Sequence, residues 1–422
     1  VRQFLYGKRY FEEKFGVDVK IAWMPDSFGY AWTLPQIMKK SGIQFFLTQK
    51  MNWNDTTALP YYYFRWTAPD GSSILTIQTV GTYSETVTET RVIQQMRMLD
   101  FVQQLDDLLV LFGIGDHGGG ITEDMIERAL EFVQGKKTIK GRFSTAKEYF
   151  NVLTKKTEKE KIPEINDELY LQYHRGTYTT QAKVKKNNRR AECLLETAEK
   201  FSTLARRYGY EYPNKELREA WEKLLLNQFH DVLPGSSIPE VYKDSEDLFE
   251  FVLDTARSII SKSLKTVAAK IDTTGEGESL LVFNPLSWSR SDVVEVPLDE
   301  MGDEVEIYDE QGQIVPSQII EEERKVVFIA EGVPPVGYKE YSGRRTGRKG
   351  KSLTSLSSEE TEKESRLENE FFIVKVDRET GLVKSILDKV NKKEVFQESG
   401  NMIQIFEDYP EIGRVITLSS LD

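Results

Sequence analysis

Cysteine is almost missing from this chain: Cys193 stands alone among 422 residues. That excludes an intrachain disulfide and a Cys-rich metal site, and it fits a reducing, cytoplasmic compartment. Long hydrophobic runs are missing as well, and none approaches the roughly 20 apolar residues of a membrane span. The opening "VRQFLYGKRYFEEKFG" is charged and amphipathic, without the apolar centre of a signal peptide. Basic charge is in deficit, 56 Lys and Arg against 68 Asp and Glu, for a formal net charge of −12. A nucleic-acid backbone is therefore a poor partner, because it calls for a basic footprint. The one conspicuous basic run, "KVKKNNRR" from Lys183 to Arg190, reads as a solvated helix face. No internal repeat of fixed period is present.

What is there is ordinary soluble composition, 39% apolar and 29% charged, in a chain long enough for two or three cores. Its rhythm predicts a multi-domain α/β, three-helix bundle and antiparallel β arrangement. Residues 1–153 alternate helical and strand-like pieces: a first helix closing on Gly16, strands in "VDVKIAWMP", "IQFFLTQ" and "LLVLFGIG", and helices at "LPQIMKKSG" and "TEDMIERALEFVQG". An Asp-Gly turn at Asp70 and Gly71 joins two further strands. Such alternation indicates a mostly parallel sheet or incomplete barrel, with ligands bound beyond the C-terminal strand ends. Residues 167–270 keep a 3/4 apolar rhythm through Ala191, Leu195, Ala198 and Phe201, then Leu217, Trp221 and Leu224, with a third helix expected to start at Ser237 on capping-box spacing to Glu240. From 279 to 422 the period changes to two, which predicts an antiparallel, sandwich-like β domain. Within it, Arg344 to Arg366 is polar and reads as a mobile loop.

Four stretches carry candidate chemistry. In "WMPDSFGYAW" Asp26 follows a strand among Trp23, Phe28, Tyr30 and Trp32, the composition of a dry, sugar-binding wall; an Asp there also reads as a helix cap or turn former. In "LFGIGDHGGGIT" a strand ends on Asp116 and His117 beside glycines that allow close backbone approach. The string lacks a Gly-Lys-Ser/Thr ending and GxGxxG spacing, so a phosphate cradle is disfavoured. Burial would raise the Asp116 pKa toward that of a general acid. In "NQFHDVLPGSS" His230 and Asp231 sit where a helix yields to a Pro-Gly turn; His230 reads either as a dipole-stabilised histidine or, with Asp26, as half of a mixed N/O zinc site. In "ELYLQYHRGTYTTQ" Arg175 follows His174, equally a domain-locking group and a substrate contact.

Taken in order, "WMPDSFGY", "LPQIMKKSGIQFFLTQKMNWND", "GIGDHGGG", "ELYLQYHRGTYTTQ", "NQFHDVLPGSSI" and "LLVFNPLSWSR" resemble the blocks of glycoside hydrolase family 38, the α-mannosidases, in its bacterial and archaeal branch. The resemblance implies a retaining, metal-dependent, exo-acting enzyme on terminal α-mannosidic bonds, with Zn2+ or another divalent ion. Carried over, Asp26 is nucleophile and metal ligand, His230 a second ligand, Asp116 the acid/base, and Asp231 a partner of sugar hydroxyls. Trp23, Phe28, Tyr30, His117 and Arg175 are the remaining substrate-binding candidates. Two carboxyls about 5 to 5.5 Å apart permit direct attack at the anomeric carbon and net retention. Family members carry two more metal ligands in an upstream His-x-Asp block, which this chain lacks. The expectation is therefore a chain truncated at both ends, with an incomplete metal site and doubtful activity. The alternative is a non-catalytic carbohydrate-binding or structural remnant. An α-mannoside or oligosaccharide is the expected partner, with no nucleic acid and no membrane; the reading admits a homo-oligomer.

Overall fold

An amphipathic helix α1 (Arg2–Phe15) opens the chain and stops where Gly16 takes the left-handed conformation, φ 64°, its N–H returning to Glu12 O at 2.9 Å. A computed structural model describes residues 1–405 apart from 55, 116–118, 136–138, 158–161, 299–301, 303 and 346–355. Beyond α1, strands β1 (Ile21–Trp23), β2 (Phe45–Thr48), β3 (Tyr63–Thr67), β4 (Ser73–Gln78) and β5 (Glu164–Ile165) form one sheet in the order β1-β2-β4-β3-β5. Its β1-β2, β2-β4 and β3-β5 pairs are parallel, and the β3-β4 hairpin is antiparallel. That hairpin turns at Asp70, whose carboxylate accepts from Ser72 N at 3.0 Å, and at Gly71, φ 81°.

Side chains alternate across this sheet and both faces are covered, so apolar residues occupy successive positions in its strands, with Arg65 an exposed exception. Phe46, Phe64, Trp66 and Ile74 point to one face, beneath helix α2 (Leu34–Lys40) and the Leu169 and Leu171 segment. Leu47, Tyr63, Leu75 and Ile77 point to the other, against helices α3 (Glu89–Gln103) and α5 (Ala146–Thr157). Helix α4 (Glu123–Gln134) starts on a Thr122 cap accepting from Met125 N.

Helices α6 (Ala182–Ala205), α7 (Asn214–Asn227) and α8 (Pro239–Ala268) share one apolar cluster of Ala191, Leu195, Ala198, Leu217, Trp221, Leu224, Phe249, Val252 and Ala256. Three antiparallel sheets follow, β10-β11-β7, β6-β12-β8-β9 and β13-β14-β15-β16-β17, built from strands β6 (Glu278–Asn284), β7 (Arg290–Pro297), β8 (Val305–Asp309), β9 (Ile314–Val315), β10 (Ser317–Ile320), β11 (Lys325–Val333), β12 (Gly337–Arg345), β13 (Ser357–Glu360), β14 (Glu364–Glu368), β15 (Phe372–Asp377), β16 (Val383–Asp388) and β17 (Lys393–Glu394). Among the described residues no helix is long and apolar enough to cross a membrane.

Three expectations need correction. The run "LLVLFGIG" does not form a strand: Leu108, Leu109 and Leu111 pack against the sheet, but the only bridge there joins Phe112 to Glu85. Apolar side chains suffice to bury a segment; a strand also needs a neighbouring ladder. Ser237 does not cap α8. Its hydroxyl donates to Asp231 O at 2.7 Å, its N–H goes to the Tyr242 hydroxyl, and Pro239 starts the helix instead. The polar stretch expected as a loop holds the β13-β14 hairpin, with Arg366 Nη1 3.6 Å from Glu359 across the pair; residues 346–355 of it lie outside the described residues.

Candidate active site

The site is set by backbone pairing at the C-terminal ends of β1 and β2. Past the last strand residues, Met24 N donates to Leu47 O at 3.0 Å, and Pro25 O accepts from Gln49 N at 3.1 Å and Lys50 N at 2.8 Å. Parallel strands end on the same side, so Asp26 and Lys50 emerge together. Gly29, φ 106°, then lets the chain approach Leu169 O so closely that a Cβ would stand 3.1 Å from it. There Tyr30 and Leu169 exchange N–H···O bonds at 2.9 and 3.0 Å, bringing in the 3-10 turn Gln172–Tyr178 with His174. The turn that follows α7 completes the cluster with His230 and Asp231.

Asp26 is the hub. Lys50 Nζ stands 2.7 Å from its Oδ1, an ion-pair distance at an angle that makes no directed hydrogen bond, while Tyr83 donates to Oδ2 at 3.4 Å. His230 Nε2 stands 3.6 Å from Oδ2 and 3.4 Å from Asp231 Oδ2. The Lys50 side chain is only 8% exposed, its ammonium 4.2 Å from the Trp53 ring centroid and 5.3 Å from that of Phe28. His174 stacks on Phe28 at 5.1 Å and 15° and meets the Trp53 edge at 5.9 Å. The result is a carboxylate between an ammonium and an imidazole, beside a wall of three rings.

Burial pushes the Asp26 carboxyl up, but His230 and the Lys50 ammonium more than offset it, and its pKa lies below the usual aspartate value. The Asp26 contact raises the His230 pKa against the opposing effect of burial. Burial, then Lys50, lowers that of His174. The two imidazoles should therefore titrate on opposite sides of the ordinary histidine value of 6.5, His174 below and His230 above, in an NMR titration of the metal-free protein. The linkage follows: the stabilisation from His230 is full below 6.5 and fades as pH rises through its raised pKa, whereas protonation of His174 destabilises the fold as pH falls from 6.5 toward its lowered pKa. Coincident titration curves would contradict this arrangement.

Of the residues singled out from sequence, Asp26, His230, Asp231 and Phe28 come together here. Asp116 and His117 lie outside the described residues. Tyr30 is not on the wall. It is buried in the core below, its hydroxyl bonded to Met24 O and Thr48 Oγ1, and burial drives its pKa far up. Trp23 is 44% exposed at the strand end, and Arg175 is exposed on the 3-10 turn. Asp231 has one oxygen taken by Ser236 Oγ at 2.8 Å. Lys50, Tyr83, Trp53 and His174 were not among the predicted site residues. For Lys50 a signal existed: a lysine directly after "IQFFLTQ", just past the end of a strand parallel to the one that delivers Asp26, emerges at the same sheet edge.

Asp26 Oδ2 and His230 Nε2 also suit two corners of a metal shell, since ligands about 2.1 Å from a tetrahedral ion sit roughly 3.4 Å apart. Among the described residues no group of three or more His, Cys, Asp or Glu could hold a metal ion. The pair fits half of a mixed N/O set.

Residues 1–168 match the family model "Glycosyl hydrolases family 38 N-terminal domain", 172–267 the "Alpha mannosidase middle domain", and 367–415 the "Glycosyl hydrolases family 38 C-terminal domain". The chain belongs to glycosyl hydrolase family 38. It is 30% identical over 442 residues to Alpha-mannosidase G of Dictyostelium discoideum, across 97% of this chain and 40% of that protein. To Alpha-mannosidase of Saccharomyces cerevisiae it is 36% identical over 306 residues, across 69% of this chain and 28% of that protein. The crystal structure of an alpha-mannosidase from Enterococcus faecalis V583 shares the fold, with a TM-score of 0.72 at 19% identity over 91% of this chain and 49% of that one. This family 38 chain thus spans less than half the length of these relatives.

Proposed function

We propose that this protein is a retaining, metal-dependent, exo-acting α-mannosidase that hydrolyses terminal α-mannosidic bonds in the cytoplasm. The observation that carries the reading is Asp26: poorly solvated, yet kept ionised by Lys50 and His230. A proton donor needs the opposite tuning, so Asp26 is the nucleophile. It attacks the anomeric carbon and forms a glycosyl ester, while the lost negative charge leaves Lys50 and His230 free to turn toward sugar oxygens. Phe28, Trp53 and His174 exclude water from one side and offer ring faces to the sugar. Asp116 protonates the leaving oxygen and then activates water. What supports it is Gly115, the described residue before it, which packs so tightly on the Tyr83 ring that a Cβ would lie 2.8 Å away, and Tyr83 in turn bonds Asp26. His117, Trp23, Arg175 and Asp231 line the sugar-binding side in this reading.

Zinc or another divalent ion, held in part by Asp26 and His230, would supply Lewis-acid binding of sugar hydroxyls. The domain division 1–153, 167–270 with a three-helix bundle, and 279–422 belongs to the same proposal. Its test is the first product formed from 4-nitrophenyl α-mannoside, watched by NMR before mutarotation. α-Mannose appearing first supports the reading, and β-mannose first refutes it. Mannoside binding without turnover at any zinc level would make the chain a non-catalytic remnant instead.

A further inference from the structure

The basic run on α6 is not a solvated face along its whole length. Lys185, Asn188 and Glu192 fall on one side of the helix, at spacings of three and four, and all three reach toward the loop after α7. Lys185 Nζ donates to Thr180 O at 2.5 Å, Leu233 O at 3.0 Å and Pro234 O at 3.1 Å. Those are all the donors an ammonium has. At the other end of the loop, Gln228 Nε2 donates to Asn188 Oδ1 at 2.9 Å and Glu192 Oε1 at 3.0 Å. His230 and Asp231 lie between these two anchorages.

The loop also leans directly on the chain before α6. At Gly235, φ 89°, a Cβ would stand 2.7 Å from Thr180 Cγ2. Asp231 O accepts from Ser237 Oγ, which braces the loop from inside but ties it to nothing else. One half-buried ammonium therefore joins two segments distant in sequence, the stretch running from His174 to Thr180 and the loop that carries His230. Burial holds the Lys185 pKa below the ordinary lysine range, so the charge sits there against a desolvation cost.

We propose that Lys185 is a positioning residue for His230, clamping the loop at Leu233 and Pro234 so that the imidazole stays within reach of Asp26. The inference rests on the reading of Asp26 and His230 as the reacting centre. Three variants test it: Lys185→Met removes the charge and keeps the stem, Lys185→Arg keeps the charge, and Lys183→Met alters an exposed lysine of the same helix paired with Glu246. In Lys185→Met the kcat for 4-nitrophenyl α-mannoside falls roughly ten-fold or more with KM little changed, up to the roughly 10²-fold that a 1 Å misplacement of a site group can cost. The His230 imidazole resonances move at constant pH, Lys185→Arg restores both readouts toward wild type, and Lys183→Met changes neither. If Lys185→Met does not fold, Lys185→Gln gives the same comparison. Wild-type His230 resonances and kcat in folded Lys185→Met or Lys185→Gln would overturn the proposal. Should the wild-type chain hydrolyse nothing, it is the mannosidase reading that fails, and the resonances alone decide the role of Lys185.

Discussion

Asp26→Asn abolishes hydrolysis of 4-nitrophenyl α-mannoside, with kcat falling on the order of 10³-fold or more, because an amide cannot form the glycosyl ester. The shape of the side chain is kept and the ring wall persists, so the loss falls mainly on kcat, while KM rises to the extent that an ion held in part by Asp26 binds sugar hydroxyls. A second effect accompanies the first. Lys50, with its side chain 8% exposed, loses the carboxylate that stands 2.7 Å from its ammonium. Breaking a buried pair by removing one partner typically costs about 3–5 kcal/mol, so the melting temperature drops as well. The kinetic comparison must therefore be made well below the variant's transition, with the folded fraction checked by circular dichroism. Turnover undiminished in folded Asp26→Asn protein would remove Asp26 from the nucleophile role.

Trp66→Ala is the change most damaging to the fold. Trp66 is fully buried on the α2 side of the sheet, against Tyr30 at 6.3 Å and Phe46 at 5.4 Å between ring centroids, and its Nε1 donates to Asp167 O at 2.8 Å. Truncating a buried Trp to Ala costs about 3–5 kcal/mol, a large share of the roughly 5–15 kcal/mol that holds a domain folded. The hydrogen bond matters to the site too, because Asp167 leads directly into the Leu169 bridge and the turn that carries His174. A urea titration should show a lower midpoint for Trp66→Ala, while Trp288→Ala, where the ring is 59% exposed, shifts it little. Equal midpoints for the two variants would contradict the packing described.

Legibility differed between elements for a physical reason. Helices α1, α4, α6 and α7 announce themselves because apolar residues repeat at helical spacing within one short stretch, and caps such as Thr122 and Gly16 are local as well. The run at 108–112 has the right side chains for a strand and still is none, since ladder bonds depend on a neighbour far away in sequence. Ser237 shows the same limit in small: its spacing to Glu240 is that of a cap, yet once the loop has folded back its hydroxyl donates to Asp231 O and the helix starts at Pro239.

The order of many short blocks along the chain was enough to identify the family, and composition and position marked Asp26 and His230 as special. That an aspartate would stand at a strand end was also legible, because apolar periodicity stops there. Which charges face that aspartate became visible only in the folded chain. Lys50 comes from the parallel neighbour, His230 from a loop beyond α7, and Tyr30, expected on the wall, turns inward to the core. Patterns along a chain record what each residue needs from its surroundings, buried or wet, but contact between distant segments follows from register and packing, and those exist only after folding.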